Sequence, residues 1–307
     1  MLSPTTEEDL ALALRDSDGP LAVQGGATRP IGQAAEGAPI SVAKLSGVAL
    51  YEPGALTMVA KAGTPVAEIE NALAEEGQSL AFEPMDHRAL FGTQGTPTIG
   101  GVVAANVSGP RRVQTGACRD FLLGARFVDG TGTVVSNGGR VMKNVTGYDL
   151  TKLMAGSFGT LGVLSEVSFK VLPKLETAAV LLLTGLSVKD AVRAMSDALR
   201  SPFEVTGAAH VPSGLDGDPV TMIRLEGFEA SVAYRAKRLK DLLASYGAAD
   251  IERRTGEDGG NGTQTGWRWV RDAEMFEGTS DDVWRISVKP SDAPRVAEAL
   301  GGARLLL

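Results

Sequence analysis

Three stretches of this sequence are suited to bringing main chain close to something large, flat and negatively charged. The first is Gln24-Gly25-Gly26-Ala27-Thr28, placed directly after the apolar run 20–24. Glycines at a strand end let successive N–H groups converge on an anion without interference from Cβ. A plain turn would use the same residues. The loop lacks the G-x-G-x-x-G of a dinucleotide-binding helix and the lysine of a phosphate-binding P-loop. The second stretch runs from Gly95 through Thr98, Ile99, Gly100 and Gly101 to Ala104, Ala105, Asn106 and Ser108-Gly109-Pro110. Such small residues bury little area, so a core role explains them poorly and a surface for a bulky planar group explains them better. The third, residues 141–173, joins a polar turn (Lys143, Asn144, Thr146, Gly147, Tyr148, Asp149) to a short helix. A turn with Gly156, Gly159 and Gly162 and a long strand from Val163 follow.

The elements around these stretches follow from pattern. Thr5 and Glu8 form a capping box that starts a helix with Leu10, Ala13 and Leu14 on its apolar stripe. Strands are expected at 20–24, 40–45 and 57–62, and Thr64-Pro65 opens a helix that ends before Gly77. Residues 80–112 read mainly as turn and loop, with an apolar insert at Val102–Ala105. Runs 121–128 and 133–135 make a hairpin across Asp129-Gly130-Thr131-Gly132. Beyond Pro173 the glycine clusters give way to regular alternation: strands at 180–183, 205–211, 220–225, near Ile251 and at 283–288, and helices at 188–199, 230–244, 267–275 and 291–300. The β-α-β-β-α-β order predicts an antiparallel sheet with helices on one side. Residues 255–265 (TGEDGGNGTQT) read as a surface loop.

Bulk properties exclude several classes. A formal charge of −7 argues against a nucleic-acid binder, whose footprint is a basic face. The single Cys118 excludes an internal disulfide framework and a cysteine-ligated cluster. The first twenty residues carry acids where a signal peptide would be apolar, and no apolar run is long enough to span a bilayer, so a soluble cytoplasmic protein is expected. No metal-ligand spacing is present. His87 and His210 each read as a satisfied surface or loop histidine, with more functional weight on His87 because it follows Glu83-Pro84 and precedes the second loop. Arg111 and Arg112 face either an anionic cofactor, a partner subunit or solvent.

Taken together, QGGAT, TIGGVVAANVSGP and KNVTGYDLTKLMAGSFGTLGVLSEVSFKVLP resemble the FAD-binding domain of the vanillyl-alcohol oxidase and p-cresol methylhydroxylase type. Within that group the chain is most similar to the FAD-binding E subunits of bacterial glycolate oxidase (glycolate dehydrogenase), through GPRRVQTGACRDFLLGARFVDGTG, VMKNVTGYDL and the VWRIS and PSDAP segments. The resemblance is dense over the first 175 residues and patchier afterwards. It implies an α+β fold: a two-lobed FAD-binding domain over 1–174, its lobes about 1–62 and 63–174. A smaller ferredoxin-like cap domain would follow over 175–307. By position, Gln24, Gly25, Gly26, Ala27 and Thr28 would cradle the FAD pyrophosphate. Thr98, Ile99, Gly100, Gly101, Ala104, Ala105 and Ser108 would line the flavin and ribityl chain. Gly159, Gly162 and Val163 would present backbone to the cofactor, and Pro84 would turn the chain near the flavin. Thr28 stands where some members carry a tethering histidine, so the FAD is expected to be non-covalent.

Two departures bear on activity. The histidine-rich H-x-H-x-G-D-G-N segment of related hydroxy-acid dehydrogenases is missing, so no catalytic residue is assigned. The segment ending in an N-P-G-R-like turn that closes over the flavin is also missing after Leu307, so one wall of the pocket is expected to be lacking. The resemblance implies a subunit of a complex oxidising glycolate to glyoxylate, with a sister FAD subunit and an iron–sulfur subunit taking electrons onward. Association with a membrane would come only through those partners. A stand-alone dehydrogenase for another 2-hydroxy acid such as lactate, and an assembly subunit whose loops bind nothing, are the alternatives.

Overall fold

The computed structural model describes residues 1–31, 36–140, 147–214, 217–254 and 267–307. The chain divides into two compact units, one of residues 1–109 with 116–174, the other of residues 110–115 with 175–307.

The first unit begins with α1 (Glu7–Arg15), β1 (Leu21–Gln24) and β2 (Ala38–Ser41), the two strands forming a parallel pair. Thr6 caps α1: its hydroxyl accepts the Asp9 N–H at 3.0 Å while the Asp9 carboxylate accepts the Thr6 N–H at 3.2 Å. The capping box is therefore one residue later than the Thr5–Glu8 pairing expected from sequence. Leu10 and Leu14, one turn apart, bury against Ile40, Val42, Leu45, Val128 and Val163. The unit's main sheet is separate and consists of β3 (Val48–Glu52), β4 (Thr57–Lys61), β6 (Leu122–Val128), β7 (Val134–Gly138) and β8 (Val163–Lys170), in the order β3-β4-β8-β6-β7 and antiparallel throughout. Because β4 pairs with β8, the expected lobe boundary near residue 62 does not hold. β3 and β4 belong to the larger sheet.

Helix α2 (Val66–Glu75) follows Pro65 and turns Ile69 and Leu73 into this sheet's core, and Gly77, at φ +63°, reverses the chain after it. A short pair of β5 (Gln78–Ser79) and β9 (Leu172–Pro173) lies beyond. The stretch expected to be loop contains α3 (Arg88–Phe91) and α4 (Ile99–Ala104). Residues Ile99, Val102 and Val103 of α4 pack with Met58, Phe121 and Val167, which is why so glycine-rich a segment still folds as helix. Then come α5 (Arg112–Thr115), α6 (Cys118–Phe121) and α7 (Leu150–Met154), the last capped by the Asp149 side chain.

The second unit runs β10 (Thr177–Thr184), α8 (Val188–Arg200), β11 (Val205–Val211), β12 (Val220–Gly227), α9 (Glu229–Leu242) and β13 (Ala249–Arg254), with sheet order β11-β12-β10-β13 and every pairing antiparallel. This is the ferredoxin-like arrangement. Ala191, Ala194 and Ala198 give α8 a flat face that lies against Leu181, Leu183 and Ile223 of the sheet. Each fully buried leucine there contributes roughly 2 kcal/mol. The opposite face carries Val180, Val211 and Met222 under Trp267, within the helical residues 267–271.

Near the end, α10 (Ala293–Ala299) is shorter than the expected 291–300. The strand expected at 283–288 is not formed. Residues 281–290 are exposed throughout, with Trp284 at 80%, and pair with no strand among the described residues. Alternation of apolar residues specifies a face but not a pairing partner. Segment 110–115 also departs from expectation by joining the second unit. Arg111 is neither solvated nor free to face a cofactor, because its guanidinium forms a two-pronged ion pair with the buried Glu226 of β12 at 2.7 and 3.1 Å. Arg224 reaches the same carboxylate at 3.2 Å and stacks over Trp267. His210, expected in a loop or at the surface, is fully buried in β11. Its Nδ1 lies 2.9 Å from the Thr221 hydroxyl and burial pushes its pKa down.

Candidate functional site

The first unit brings the three backbone-rich stretches together. β1 delivers Gln24 to a loop in which Gly25 lies against Thr98, the residue that caps α4. A Cβ on Gly25 would stand 2.5 Å from the Thr98 hydroxyl oxygen. Gly26 and Gly95 press main chain on main chain: a Cβ on Gly26 would meet the Thr96 carbonyl oxygen at 1.6 Å, and one on Gly95 would meet the Gly26 oxygen at 1.8 Å. The far end of α4 is bonded to the third stretch. The Gly156 N–H donates to the Val103 carbonyl and the Phe158 N–H to the Ala104 carbonyl, at 3.2 and 2.8 Å. Gly159, at φ +77°, returns beside the Val23 side chain and so closes the ring of contacts.

Part of the glycine content is therefore explained inside the chain. Ile99 and Gly100 are buried, and their N–H groups donate to the Thr64 and Ala62 carbonyls. A Cβ on Gly100 would fall 2.6 Å from Ala62 Cβ. The Gly101 N–H is taken by Thr98. Val163 puts its side chain in the α1 core, and Gly162 packs on Val128 and the Phe127 ring. Ala105 ends α4, and the Ser108 hydroxyl accepts the Cys118 N–H at 2.9 Å. Pro84 is buried next to the left-handed Glu83, two residues after Phe82, whose carbonyl accepts the Gly109 N–H. Ser108 and Pro84 thus lie on the α6 side of the second loop. Lys143, Asn144 and Thr146 lie outside the described residues.

What remains after these internal bonds is a cradle of donors. Among the described residues, no acceptor meets the N–H groups of Gly25, Gly26, Ala27 and Thr28, and Ala27 adopts the left-handed conformation (φ +52°) that turns successive N–H groups to one side. The Ser157 hydroxyl, in the turn beside Ala104, is buried without a partner among the described residues. Unpaired buried donors cost free energy unless a ligand meets them. A phosphate-bearing dinucleotide suits this set, with oxyanions for the N–H groups and a planar ring system for the small-residue wall. The residues present fit FAD. Ser157 escaped the sequence reading although it sits inside the quoted motif, because its type gives no hint that it would be left unpaired.

Arg29 and His87 are also at this locus. Arg29 Nη1 donates to the Gly101 carbonyl at 3.0 Å and its Nε lies 3.3 Å from His87 Nδ1. A guanidinium stays protonated, so Nδ1 accepts and the ring proton of His87 sits on Nε2. The Met85 carbonyl, 3.2 Å from the same nitrogen, is then a contact and not a second hydrogen bond. Among the described residues no cluster of metal-ligating side chains occurs.

Comparison with known proteins agrees with this geometry. Residues 1–138 match the model of an FAD binding domain family. Over 277 residues the chain is 36% identical to glycolate oxidase subunit GlcE of Escherichia coli (strain K12), covering 90% of this chain and 70% of that protein. The chain belongs to the GlcE family of FAD-binding oxidoreductases. Glycolate oxidase subunit GlcD of Bacillus subtilis (strain 168) is 35% identical over 132 residues, which are 43% of this chain and 27% of that protein. Among solved structures, an alkyldihydroxyacetonephosphate synthase superposes with a TM-score of 0.65 at 18% identity, covering 97% of this chain and 55% of its own, and shares the fold. The cofactor of this GlcE-family chain is FAD.

Proposed function

We propose that this chain is the FAD-carrying E-type subunit of a multi-subunit complex that oxidises glycolate to glyoxylate. The observation that carries the reading is the convergence of the three stretches on one cradle of unpaired donors, in a chain matching GlcE over most of its length. Residues 24–28 would hold the diphosphate. Thr98, Gly101 and Ala104 would form the wall against the ring system, with Ala105, Ser108 and Pro84 supporting that wall from behind. Gly159, Gly162 and Val163 would fix the turn that faces it, with Ile99 and Gly100 anchoring α4 to the turn that follows β4. The bound FAD supplies the acceptor for the two electrons that leave the α-carbon with hydrogen. The protein's share is to bind, orient and shield.

Thr28, buried and bearing no nucleophilic nitrogen, supports a cofactor held without a covalent bond. Neither histidine is arranged as an unencumbered base, since His87 Nδ1 is engaged by Arg29 and His210 is enclosed in the second unit's core. This favours a division of labour in which a GlcD-type sister subunit performs most of the substrate chemistry and an iron–sulfur subunit takes the electrons. No helix among the described residues is long and apolar enough to cross a membrane, so any membrane association would come through such partners.

Purification tests the reading directly. The protein should be yellow with a flavin spectrum, and acid precipitation should leave the colour in the supernatant. Glycolate-dependent reduction of a dye acceptor should be slow with this subunit alone and rise at least about 100-fold, some 2.7 kcal/mol of barrier, when the partner subunits are co-purified. A colourless protein that takes up no FAD, or equal activity without partners, would defeat it.

A further inference from the structure

We propose that Arg29 is the charged half of an oxyanion site, shared with the backbone N–H groups of residues 25–28. The assignment rests on the FAD-cradle reading and goes beyond it by placing a side chain and a full positive charge where the loop alone offers only dipoles.

Arg29 is half-buried, yet it has no carboxylate partner among the described residues. Its two recorded acceptors are the neutral Gly101 carbonyl and the neutral His87 ring nitrogen. A guanidinium has five N–H donors, so three remain without a protein acceptor among the described residues. The chain treats its other withdrawn arginines differently. Arg111 and Arg224 share Glu226, Arg235 faces Glu204 at 3.4 Å, and Arg271 faces Asp272 at 2.7 Å.

Burial without a counter-charge disfavours the charged form, and the Arg29 pKa is lowered by that desolvation. A buried charge of this kind is accommodated by an anion. The clamp on Gly101 and His87 fixes the plane of the fork, and a fixed planar fork matches the paired oxygens of a phosphate or a carboxylate. Arg29 follows the unpaired N–H groups of residues 25–28 directly in sequence, so backbone and side chain can serve one ligand. Two sources offer that chemistry: the diphosphate of FAD and the carboxylate of a 2-hydroxy acid.

The test uses the full chain, stripped of flavin, as wild type, Arg29→Gln and Arg29→Lys. FAD and riboflavin are titrated by flavin fluorescence, and the FAD-loaded proteins are titrated with oxalate by flavin absorbance. A diphosphate contact predicts that Arg29→Gln weakens FAD about 10- to 100-fold, the range for a charge-assisted hydrogen bond, and leaves riboflavin binding unchanged. A carboxylate contact predicts unchanged FAD affinity and the same loss for oxalate. In either case Arg29→Lys retains the charge without the fork and falls between. Should Arg29→Gln not fold, Arg29→Lys carries the comparison alone. The proposal is overturned if every ligand binds the variants as it binds wild type, or if riboflavin weakens as much as FAD. A wild-type chain that takes up no FAD defeats the functional reading itself, and this assignment with it.

Discussion

At the scale of single residues, the glycines of the first unit separate into two kinds. Gly26 has no room for a side chain, because its Cβ position is filled by the Thr96 carbonyl. Gly130, in the hairpin turn, has nothing within 4 Å. Gly26→Ala should therefore force two backbones apart, costing about 3 kcal/mol, the upper range for overpacking, while Gly130→Ala should stay within about 0.5 kcal/mol of wild type. Urea unfolding of the two variants checks this, and equal midpoints would contradict it. Cys118 gives a second expectation. It is fully buried, and burial pushes its thiol up to about 12. It should resist a thiol reagent at pH 8 in the folded protein and react at once in denaturant. The sequence displayed the glycines, but it could not distinguish those needed for chain-on-chain contact from those left for a ligand. That distinction depends on which strands become neighbours, and Gly26 and Thr96 are seventy residues apart in sequence.

At the scale of elements, local signals were legible where one segment carries its own instruction. Pro65 and Gly77 bracket α2, and Asp129 to Thr133 turn β6 into β7. Segments that depend on partners were not. VWRIS alternates like a strand but finds no pairing among the described residues, and the Gly100-Gly101 stretch forms a helix only because Ile99 and Val103 reach the core. Helix α1 shows how such a dependence should respond to pH. Glu7, on its first turn, accepts from Arg126 of β6 and, at 2.5 Å, from the Ser165 hydroxyl of β8. The Arg126 hydrogen bond is the main cause holding the Glu7 carboxyl below its ordinary 4.5. A carboxyl depressed on folding adds stability above its unfolded value and loses it as pH falls through the folded one. Glu7→Gln should thus cost about 1 kcal/mol near neutrality, the worth of one charge-assisted bond in a partly exposed place. It should cost less at pH 3, below the ordinary 4.5, where part of that contribution is already lost. Unfolding curves for wild type and variant at both pH values measure the difference, and a penalty independent of pH would remove the ionic explanation.

At the scale of the whole molecule, the two units have separate hydrophobic cores. One is centred on Met58, Ile69, Val167 and Phe169, the other on Leu181, Ala194, Ile223 and Leu239. The division near residue 174 was legible because composition changes there, from glycine clusters to regular alternation. The membership of residues 110–115 was not, because it rests on the packing of α5 against β11, accompanied by the ion pair of Arg111 with Glu226, 115 positions away. The described cradle residues all fall in the first unit. A ligand that binds only the folded state stabilises it by about 2.7 kcal/mol at a hundred times its dissociation constant. For a unit of this size that corresponds to roughly 5–10 °C. Scanning calorimetry with and without FAD should accordingly show one transition rising by that amount. Hydrogen exchange should slow at residues 21–28, 98–105 and 156–163 while β10 to β13 remain unchanged. Equal protection of both cores would mean that the cofactor's binding energy reaches the second unit, and that the donors of residues 25–28 and Ser157 do not by themselves account for the site.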